Sequence, residues 1–447
     1  MPTLMLDLTP QPAALGAQRM PQVCYALLTV AAADRDIARP INWAFVADAS
    51  RSMRIPIVDE AQFRALIREN GAQEALVDGV PVWQLATPVP PEIRAVAKSA
   101  LDHVAHALHT ILERLDGEDR FALIACAEQA LVLSRSASGS ERAMLAQGIA
   151  QISRLDLGDE TDLSVGIASA LDELERGRDG LRADRLVLLT DGFTRAPEDC
   201  RALVVEAAAQ GVAVTTVGLG GEFQAELLTE LADLSGGRAL FLPQANEIAQ
   251  AISAELAAAR AVLTRGLTLA LAPQAGATIR RVTRVHPTLS VLFEGGQPDI
   301  PHTLRPGDLA GGETLALLVE LVVPAEAASR IPLLHARVSA RQTVPVEAEL
   351  VGRRYAEAPP LAPPLREATA RANVARLQQR AQAAAQAGDT VTAMRLLAAA
   401  ATQLDDLGAT GLARALRAQA DVLATSGAAD ALAAKELLYA TRRLGGA

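Results

Sequence analysis

The sequence predicts a three-part chain: an α/β domain inserted into a β-sandwich, followed by a C-terminal α-helical domain. Strand and helix patterns alternate over residues 41–262, strand-like runs lie on both sides of that region, and a helical pattern rich in Ala and Leu follows a Pro-rich segment. With 447 residues, the chain has room for about two to four domains of ordinary size.

Residues 1–40 contain two strand-like runs, near 3–8 and 22–32, separated by Pro and Gly residues. Such short runs bounded by turn-forming residues are typical of strands. They have no obvious place in the following α/β region. We therefore expect them to complete a sandwich with strands that come after the α/β domain.

Residues 41–262 form the predicted α/β domain. The patterns predict strands at 41–48, 120–127, 131–134, 185–190, 212–218 and 238–242. They predict helices at 92–115, 140–153, 162–176, 197–210, 224–234 and 246–261. This alternation is typical of a mainly parallel sheet with helices on both faces.

The rest of the chain, residues 263–447, changes character twice. Over 263–357, strand patterns at 266–271, 278–285, 315–323 and 333–340 are separated by Gly- and Pro-rich turns, which favours an antiparallel sandwich. Residues 358–364 are a Pro-rich linker. Residues 365–447 have helical spacing with breaks at 388–389, 407–408 and 426–427, which predicts three or four antiparallel helices in a bundle or a tetratricopeptide-like array.

Oxygen-bearing side chains follow or flank three predicted strands. Asp48, Ser50 and Ser52 end the apolar run at 41–48 as Asp-x-Ser-x-Ser, Thr161 opens a helix, and Asp191 follows the run at 186–190. Ligand sites of parallel α/β sheets form at the carboxyl ends of the strands. Such hard oxygen donors suit Mg2+, and Mn2+ or Ca2+ are alternatives.

These five residues, in this order and context, resemble the metal-ion-dependent adhesion site (MIDAS) of the von Willebrand factor A (VWA) family over residues 41–262. The resemblance implies a Rossmann-like domain in which the five residues hold one divalent cation, and a Glu or Asp of a protein partner completes its coordination. The order of strands, A-type domain and strands also resembles bacterial relatives of inter-alpha-trypsin inhibitor heavy chains and chloride-channel-associated VWA proteins.

Residues 54–91 separate the Asp-x-Ser-x-Ser motif from the next long helix and must leave and return at the metal face. We expect a short helix near 60–70 and a hairpin turn at Asp78-Gly79. Our hypothesis is that the insertion forms a lid that restricts access to the metal, with Asp78 and Trp83 as partner-binding candidates. Alternatively, Trp83 only packs the hairpin onto the domain.

The predicted function is Mg2+-dependent protein–protein recognition rather than catalysis, because no general base, activated nucleophile or second metal accompanies the motif. The alternative is a structural or assembly subunit, such as a homo-oligomer, in which the metal only stabilises the fold. A metal-dependent hydrolase is a third, less favoured class.

Composition and charge limit the classes of partner and the cellular compartment that we expect. The formal net charge is −10 and no long basic cluster occurs, which argues against nucleic acid as a partner. No uncharged apolar run reaches the length of a membrane span. Cys24, Cys126 and Cys200 are far apart and odd in number, and no signal-peptide pattern is present, so we expect a cytoplasmic protein.

Overall fold

The structure is a computed structural model that describes residues 4–9, 14–15, 20–32, 39–55, 72–77, 80–85, 98–325, 330–341, 343–354, 360–426 and 430–446. Within these ranges, no helix combines the length and the apolar character needed to cross a membrane. The predicted helix near 60–70 and the predicted turn at Asp78-Gly79 lie outside the described residues.

The described strands, in chain order, are β1 (Leu4–Thr9), β2 (Ala14–Leu15), β3 (Gln22–Ala32), β4 (Ile41–Asp48), β5 (Ala72–Val77), β6 (Val80–Leu85), β7 (Arg120–Cys126), β8 (Ala130–Ser138), β9 (Ala183–Thr190), β10 (Ala213–Leu219), β11 (Ala239–Leu242), β12 (Val262–Pro273), β13 (Thr278–His286), β14 (Ser290–Glu294), β15 (His302–Ala310), β16 (Thr314–Val323), β17 (Arg330–Ser339) and β18 (Val346–Arg354). The described α-helices are α1 (Arg51–Arg54), α2 (Ala100–Arg114), α3 (Arg142–Ile149), α4 (Leu163–Gly177), α5 (Pro197–Ala209), α6 (Ala225–Ser235), α7 (Ile248–Arg260), α8 (Pro363–Gln386), α9 (Thr390–Asp406), α10 (Thr410–Ser426) and α11 (Ala431–Arg442).

The α/β domain is built on a six-stranded sheet in the order β11-β10-β9-β4-β7-β8. All neighbouring pairs are parallel except β7 with the edge strand β8. Every residue of the two central strands β4 and β9 is buried, as expected for parallel strands covered on both faces. The sheet therefore brings the carboxyl ends of β4 and β9 side by side.

Side chains of β4 alternate between two apolar cores. Trp43 and Phe45 pack with residues of α2, α3 and α7 on one face. Ala44 and Val46 pack with residues of α4, α5 and α6 on the other. This alternation follows from the two-residue period of a strand, and it fixes β4 as the centre of the domain.

The β-sandwich is formed from both sides of the α/β domain in sequence. One sheet has the order β1-β3-β16-β13-β14 and the other the order β15-β12-β17-β18-β2. The N-terminal strand β3 pairs antiparallel with β16 over ten residue pairs, from Gln22 opposite Val323 to Ala31 opposite Thr314. The predicted fold class, an α/β domain inserted in a sandwich and followed by helices, is confirmed.

Several predicted elements differ from the structure. β14, β15 and β18 were not predicted, because Pro306 and Gly307 interrupt β15 and charged residues alternate along β18. The helix predicted at 92–115 begins at Ala100 in the described residues, where Ser99 and Asp102 form a reciprocal capping box. The helix predicted at 140–153 ends at Ile149 and is followed by a 3-10 turn.

The C-terminal domain consists of four described helices with their own apolar core. The first of them, α8, begins at Pro363, so the predicted linker 358–364 ends two residues early. Proline fits the first turn of a helix because its missing N–H has no partner there. Leu365 of α8 packs on the sandwich, and Tyr439 of α11 is buried in the core of the α/β domain. All three parts of the chain are therefore in contact.

Candidate metal site

The five predicted ligands lie at one edge of the central sheet. Asp48 is the last residue of β4, Ser50 and Ser52 lie at the start of α1, and Asp191 directly follows β9. Thr161 lies two residues before α4, where it forms an isolated parallel bridge with Thr194. The three loops thus meet at the carboxyl ends of the two central strands.

Hydrogen bonds of side chains and of one backbone N–H connect all five residues. The Ser52 hydroxyl donates to Asp191 Oδ1 at 2.6 Å. The Ser50 and Ser52 Oγ atoms are 3.2 Å apart, and the Thr161 hydroxyl donates to Asp48 Oδ2 at 3.3 Å. The Ser50 N–H donates to Asp48 Oδ1 at 2.9 Å, which closes the chain of contacts.

Asp48 is fully buried. Its Oδ2 accepts a 2.6 Å hydrogen bond from the hydroxyl of Thr190, the last residue of β9. Burial raises the pKa of Asp48 above its ordinary value, while the bonds from Thr190, Ser50 and Thr161 act in the opposite direction. The carboxylate is thus oriented by neutral donors that stabilise its charge only in part.

Asp191 is half-buried beside Asp48. Burial raises the pKa of Asp191, the Ser52 hydrogen bond lowers it and the charge of Asp48 raises it, and the net result is a pKa of about 6. None of the ion pairs formed among the described residues includes Asp48 or Asp191. Among the described residues, these two adjacent carboxylates therefore have no cationic partner, and a bound cation would compensate both charges.

The spacing of the oxygens fits a small octahedral ion. Neighbouring ligands of Mg2+ at its usual bond length of about 2.0–2.1 Å lie about 2.9 Å from each other. The contacts of 2.6 Å between Ser52 and Asp191, 3.2 Å between Ser50 and Ser52, and 3.3 Å between Thr161 and Asp48 bracket that value. The donor set fits Mg2+ in type and in spacing.

Gly192 leaves space over the same oxygens. A methyl group built at its Cα would lie 3.5 Å from Thr161 Oγ1 and 3.8 Å from Ser52 Oγ. The glycine that follows Asp191 thus keeps side-chain atoms out of contact with these two hydroxyl oxygens.

The acidic residues around Thr161 are paired with arginines that brace the loops. Arg54 lies 3.0 Å from Asp156 and 3.6 Å from Asp159, and it donates to the Gly158 carbonyl. Asp162 caps α4 by accepting from the Ser164 N–H and lies 3.3 Å from Arg195. The ion pairs and hydrogen bonds of these acids therefore hold the Thr161 loop in place.

Of the two candidate partner-binding residues, only one lies among the described residues. Trp83 lies in β6, opposite Glu74 of the antiparallel strand β5. Asp78 lies outside the described residues. The roles predicted for both, and the lid hypothesis for 54–91, stay predictions.

Sequence reasoning missed Thr190 and Gly192. Thr190 was counted as the end of an apolar strand, yet its hydroxyl makes one of the shortest contacts to Asp48. The signal was available, since a hydroxyl side chain directly before Asp191 ends a strand that is otherwise apolar.

Comparisons with known proteins agree with this architecture. Residues 94–254 match the family description "von Willebrand factor type A domain". Residues 363–447 match "Sll0103-like, C-terminal alpha-helical domain". The search of curated proteins gives no match.

Two solved structures resemble the chain over nearly its whole length. The von Willebrand factor type A protein from Catenulispora acidiphila is 18% identical with a TM-score of 0.74, covering 99% of this chain and 97% of that one. The ArnB paralog VWA2 from Sulfolobus acidocaldarius is 13% identical with a TM-score of 0.53, covering 99% of each chain. At these identities the likeness concerns the fold.

Proposed function

We propose that this chain, a VWA-domain protein with an Sll0103-like C-terminal helical domain, recognises a protein partner through a divalent cation. VWA domains commonly mediate metal-dependent protein interactions. In our proposal Asp48, Ser50, Ser52, Thr161 and Asp191 form a MIDAS that holds Mg2+, or alternatively Mn2+ or Ca2+. A Glu or Asp of the partner completes the coordination.

The observation that carries the proposal is the pair of neighbouring carboxylates, Asp48 and Asp191, that has no cationic side chain among the described residues. Three of the five ligands are neutral hydroxyls, so a divalent ion bound there retains an electrophilic face. A carboxylate from outside the chain supplies the missing negative charge and oxygen.

The proposal assigns binding rather than catalysis to the site. No side chain of a described His, Lys or Cys hydrogen-bonds to any of the five residues, so a general base or nucleophile is not among their described contacts. The bound ion would act by orienting and neutralising a carboxylate. Turnover by the purified protein that disappears in Asp191→Ala would contradict this assignment.

The alternative is an assembly subunit whose metal only stabilises the fold. The contacts of the site loops argue against a role of the metal in folding. Thr190, Arg54 and Arg195 already hold these loops by hydrogen bonds and ion pairs within the chain. The inter-alpha-trypsin inhibitor-like domain order is likewise part of our proposal.

A cytoplasmic location is also proposed. Cys24, Cys126 and Cys200 are buried free thiols, as is usual in a reducing compartment. Burial raises the pKa of Cys24 to about 12, so this thiol is unreactive at neutral pH.

A pull-down from the native organism with Mg2+ or with EDTA tests the proposal when wild type is compared with Asp48→Ala. We expect a partner that is retained only in Mg2+ and only by the wild type, with the same oligomeric state for both proteins. If Asp48→Ala instead loses its fold or its assembly, and no Mg2+-dependent partner is found, the assembly alternative is supported.

A further inference from the structure

A cavity of about 570 Å3 lies where the three domains meet. The α/β domain contributes α5 and α6, the sandwich contributes β13, β14 and β15, and the helical domain contributes α8 and α11. Its volume is that of an ordinary small-molecule pocket. The cavity is distinct from the candidate metal site, since none of the five predicted ligands lines it.

Buried polar atoms without a hydrogen-bond partner are concentrated in the walls of this cavity. Of the twelve such side-chain atoms in the described residues, six belong to residues that line it. They are Arg281 Nε, Thr283 Oγ1, Ser290 Oγ, Arg376 Nε, Gln378 Oε1 and Thr441 Oγ1. The three hydroxyl residues and the glutamine are each more than nine-tenths buried. Because buried polar groups are nearly always hydrogen-bonded, this concentration favours a polar occupant.

The three hydroxyl residues lie close together, although they belong to three different elements. Ser290 of β14 pairs with the residue that follows Thr283 in β13. The N–H of Leu289, directly before Ser290, donates to the carbonyl of Arg442 at 2.8 Å. That contact brings Thr441, the preceding residue of α11, next to the two strands. One part of the cavity therefore contains several hydroxyl groups.

Arg376 of α8 is a half-buried cation without a carboxylate partner among the described residues. Its Nη2 donates to the neutral amide oxygen of Asn373, and its Nε has no partner. Arg281, whose Nε also has no partner, and Arg376 both line a neighbouring cavity as well, so the two arginines share a wall. A guanidinium N–H can only donate. A molecule bound there must therefore offer acceptor oxygens, and an anionic group forms the stronger hydrogen bonds.

The carboxylates in the walls do not compensate the charge of Arg376. Asp233 is already paired with Arg442. Glu226 and Glu230 are exposed, so their charges are solvated. Water can complete the hydrogen bonds of single buried hydroxyls, but it brings no negative charge. The occupant that fits the walls is therefore an anion rather than water alone.

We propose that the cavity binds a small organic anion that carries hydroxyl groups, such as a sugar acid or a sugar phosphate. Its anionic group accepts hydrogen bonds from Arg281 and Arg376. Its hydroxyl groups bond to the hydroxyl residues and to Gln378, whose Oε1 requires a donor. This inference does not rest on the metal, so the anion should bind equally well in EDTA and to Asp48→Ala.

Differential scanning fluorimetry of the full chain with gluconate, glucose 6-phosphate and glycerol 3-phosphate tests the proposal. We expect at least one of these hydroxylated anions to raise the melting temperature, because a molecule that binds only the folded chain stabilises it. Glucose and glycerol, which lack the charge, should cause no shift. Absence of a shift with all three anions overturns the proposal, as does an equal shift with the uncharged compounds. An equal shift with inorganic phosphate shows binding of a simple anion only and also overturns it.

Arg376 and Arg380 lie four residues apart on α8 and give a matched pair of variants. Arg380 is exposed and does not line the cavity. Arg376→Gln should weaken binding of the anion by about 10- to 100-fold in isothermal titration calorimetry, since it removes hydrogen bonds to a charged group. Arg380→Gln, which changes the net charge equally, should leave the affinity unchanged. Equal losses in the two variants would place the anion elsewhere and contradict the proposal.

Thr283→Val tests the walls independently of the arginines. Without added anion, this variant should melt at the wild-type temperature or above it, because it lacks a buried hydroxyl that has no partner. With the anion, its melting temperature should rise less than that of wild type. Thr216→Val, which loses the hydrogen bond to the Leu228 carbonyl, should melt at a lower temperature than wild type. An equal decrease in Thr283→Val would show that its hydroxyl is bonded within the chain and would count against the proposed site.

Discussion

At the scale of single residues, Thr190 is the side chain that most directly sets the state of Asp48. Its hydroxyl donates a 2.6 Å hydrogen bond to a fully buried carboxylate. A hydrogen bond to a charged group contributes about 1.5–3 kcal/mol. Thr190→Val keeps the shape of the residue and removes this bond, so we expect Mg2+ affinity to fall by about 10- to 100-fold in isothermal titration calorimetry.

Thr216→Val is the control for that measurement. Thr216 is a buried threonine in the neighbouring strand β10, and its hydroxyl donates to the Leu228 carbonyl rather than to the site. The variant should lose stability and keep its Mg2+ affinity. Equal losses of affinity in the two variants would show that Thr190 acts only through general stability.

The raised pKa of Asp191 predicts that the stability of the metal-free protein depends on pH. Its pKa in the folded chain is about 6, above the ordinary value of about 3.9 expected in the unfolded chain. A raised pKa means that protonation favours the folded state, so this contribution is complete below about pH 4 and is lost as pH rises through about 6. In EDTA, the stability of wild type relative to Asp191→Asn should therefore fall between about pH 4 and pH 6.

Thermal unfolding from pH 4 to pH 7.5 measures this difference. Saturating Mg2+ should remove the loss at the upper end of the range, because the ion stabilises the ionised carboxylate. A difference between wild type and Asp191→Asn that is independent of pH in EDTA would contradict the electrostatic description of the site.

More of the candidate site than of its surroundings could be predicted from the sequence. Asp48, Ser50 and Ser52 share one loop, and Asp191 ends an apolar strand, so strand topology alone brings them together. The positioning by Thr190, by contrast, depends on which face of β9 its hydroxyl occupies, and the space at Gly192 depends on how two loops approach. The hydroxyl of Thr190 could be noticed directly before Asp191, but its contact with Asp48 does not follow from local patterns, and neither does the space at Gly192.

At the scale of elements, α11 belongs to two domains at once. Tyr439 is 2% exposed and contacts Phe223 and Phe241 of the α/β domain, at ring-centroid distances of 6.4 Å and 5.6 Å. Its hydroxyl has no hydrogen-bond partner among the described residues. The aromatic ring, and not the hydroxyl, therefore joins α11 to the α/β core.

Two substitutions at Tyr439 separate these contributions. Tyr439→Ala should lower the free energy of unfolding by about 3–5 kcal/mol, as expected for deletion of a buried aromatic ring. Tyr439→Phe should be neutral or slightly stabilising, because it removes a buried hydroxyl that lacks a partner. Chemical denaturation monitored by circular dichroism tests both; a loss in Tyr439→Phe as large as in Tyr439→Ala would show that the hydroxyl is bonded.

The elements themselves were predictable where local pattern and burial agree. The all-buried strands β4 and β9 are apolar runs, and the breaks between α8, α9 and α10 coincide with Gly388 and Gly408, both with positive φ. The strands β15 and β18 were not predicted, because pairing with neighbouring strands, and not their own periodicity, holds them in the sheet. The packing of α11 against β11 could not be predicted either, because it joins two segments that lie far apart in the sequence.

At the scale of the whole molecule, one carboxylate connects all three parts. Asp233 of α6 accepts hydrogen bonds from Arg442 of α11 at 2.6 and 2.9 Å and from Arg284 of β13 at 3.3 Å. Arg284 is nearly inaccessible, and burial lowers the pKa of its guanidinium. The ion pairs thus place the α/β, sandwich and helical domains in one fixed arrangement.

Asp233→Ala should leave two largely buried arginines without their carboxylate, at a cost of about 3–5 kcal/mol. We expect the domains of the variant to unfold at separate temperatures in differential scanning calorimetry. Asp405→Ala, which removes an exposed ion pair with Arg417 inside the helical domain, should change stability by about 0–1 kcal/mol. An unchanged unfolding profile of Asp233→Ala would show that the three parts are not coupled through this residue.

The most direct test of the whole account is the stoichiometry of Mg2+ binding to the purified chain, measured by isothermal titration calorimetry for wild type, Asp48→Ala and Asp191→Ala. The five-residue site predicts one Mg2+ per wild-type chain and no binding to either variant, with circular dichroism spectra that are the same for all three proteins. Wild-type protein that binds no divalent cation, or an Asp48→Ala variant that binds Mg2+ as tightly as wild type, would contradict the account.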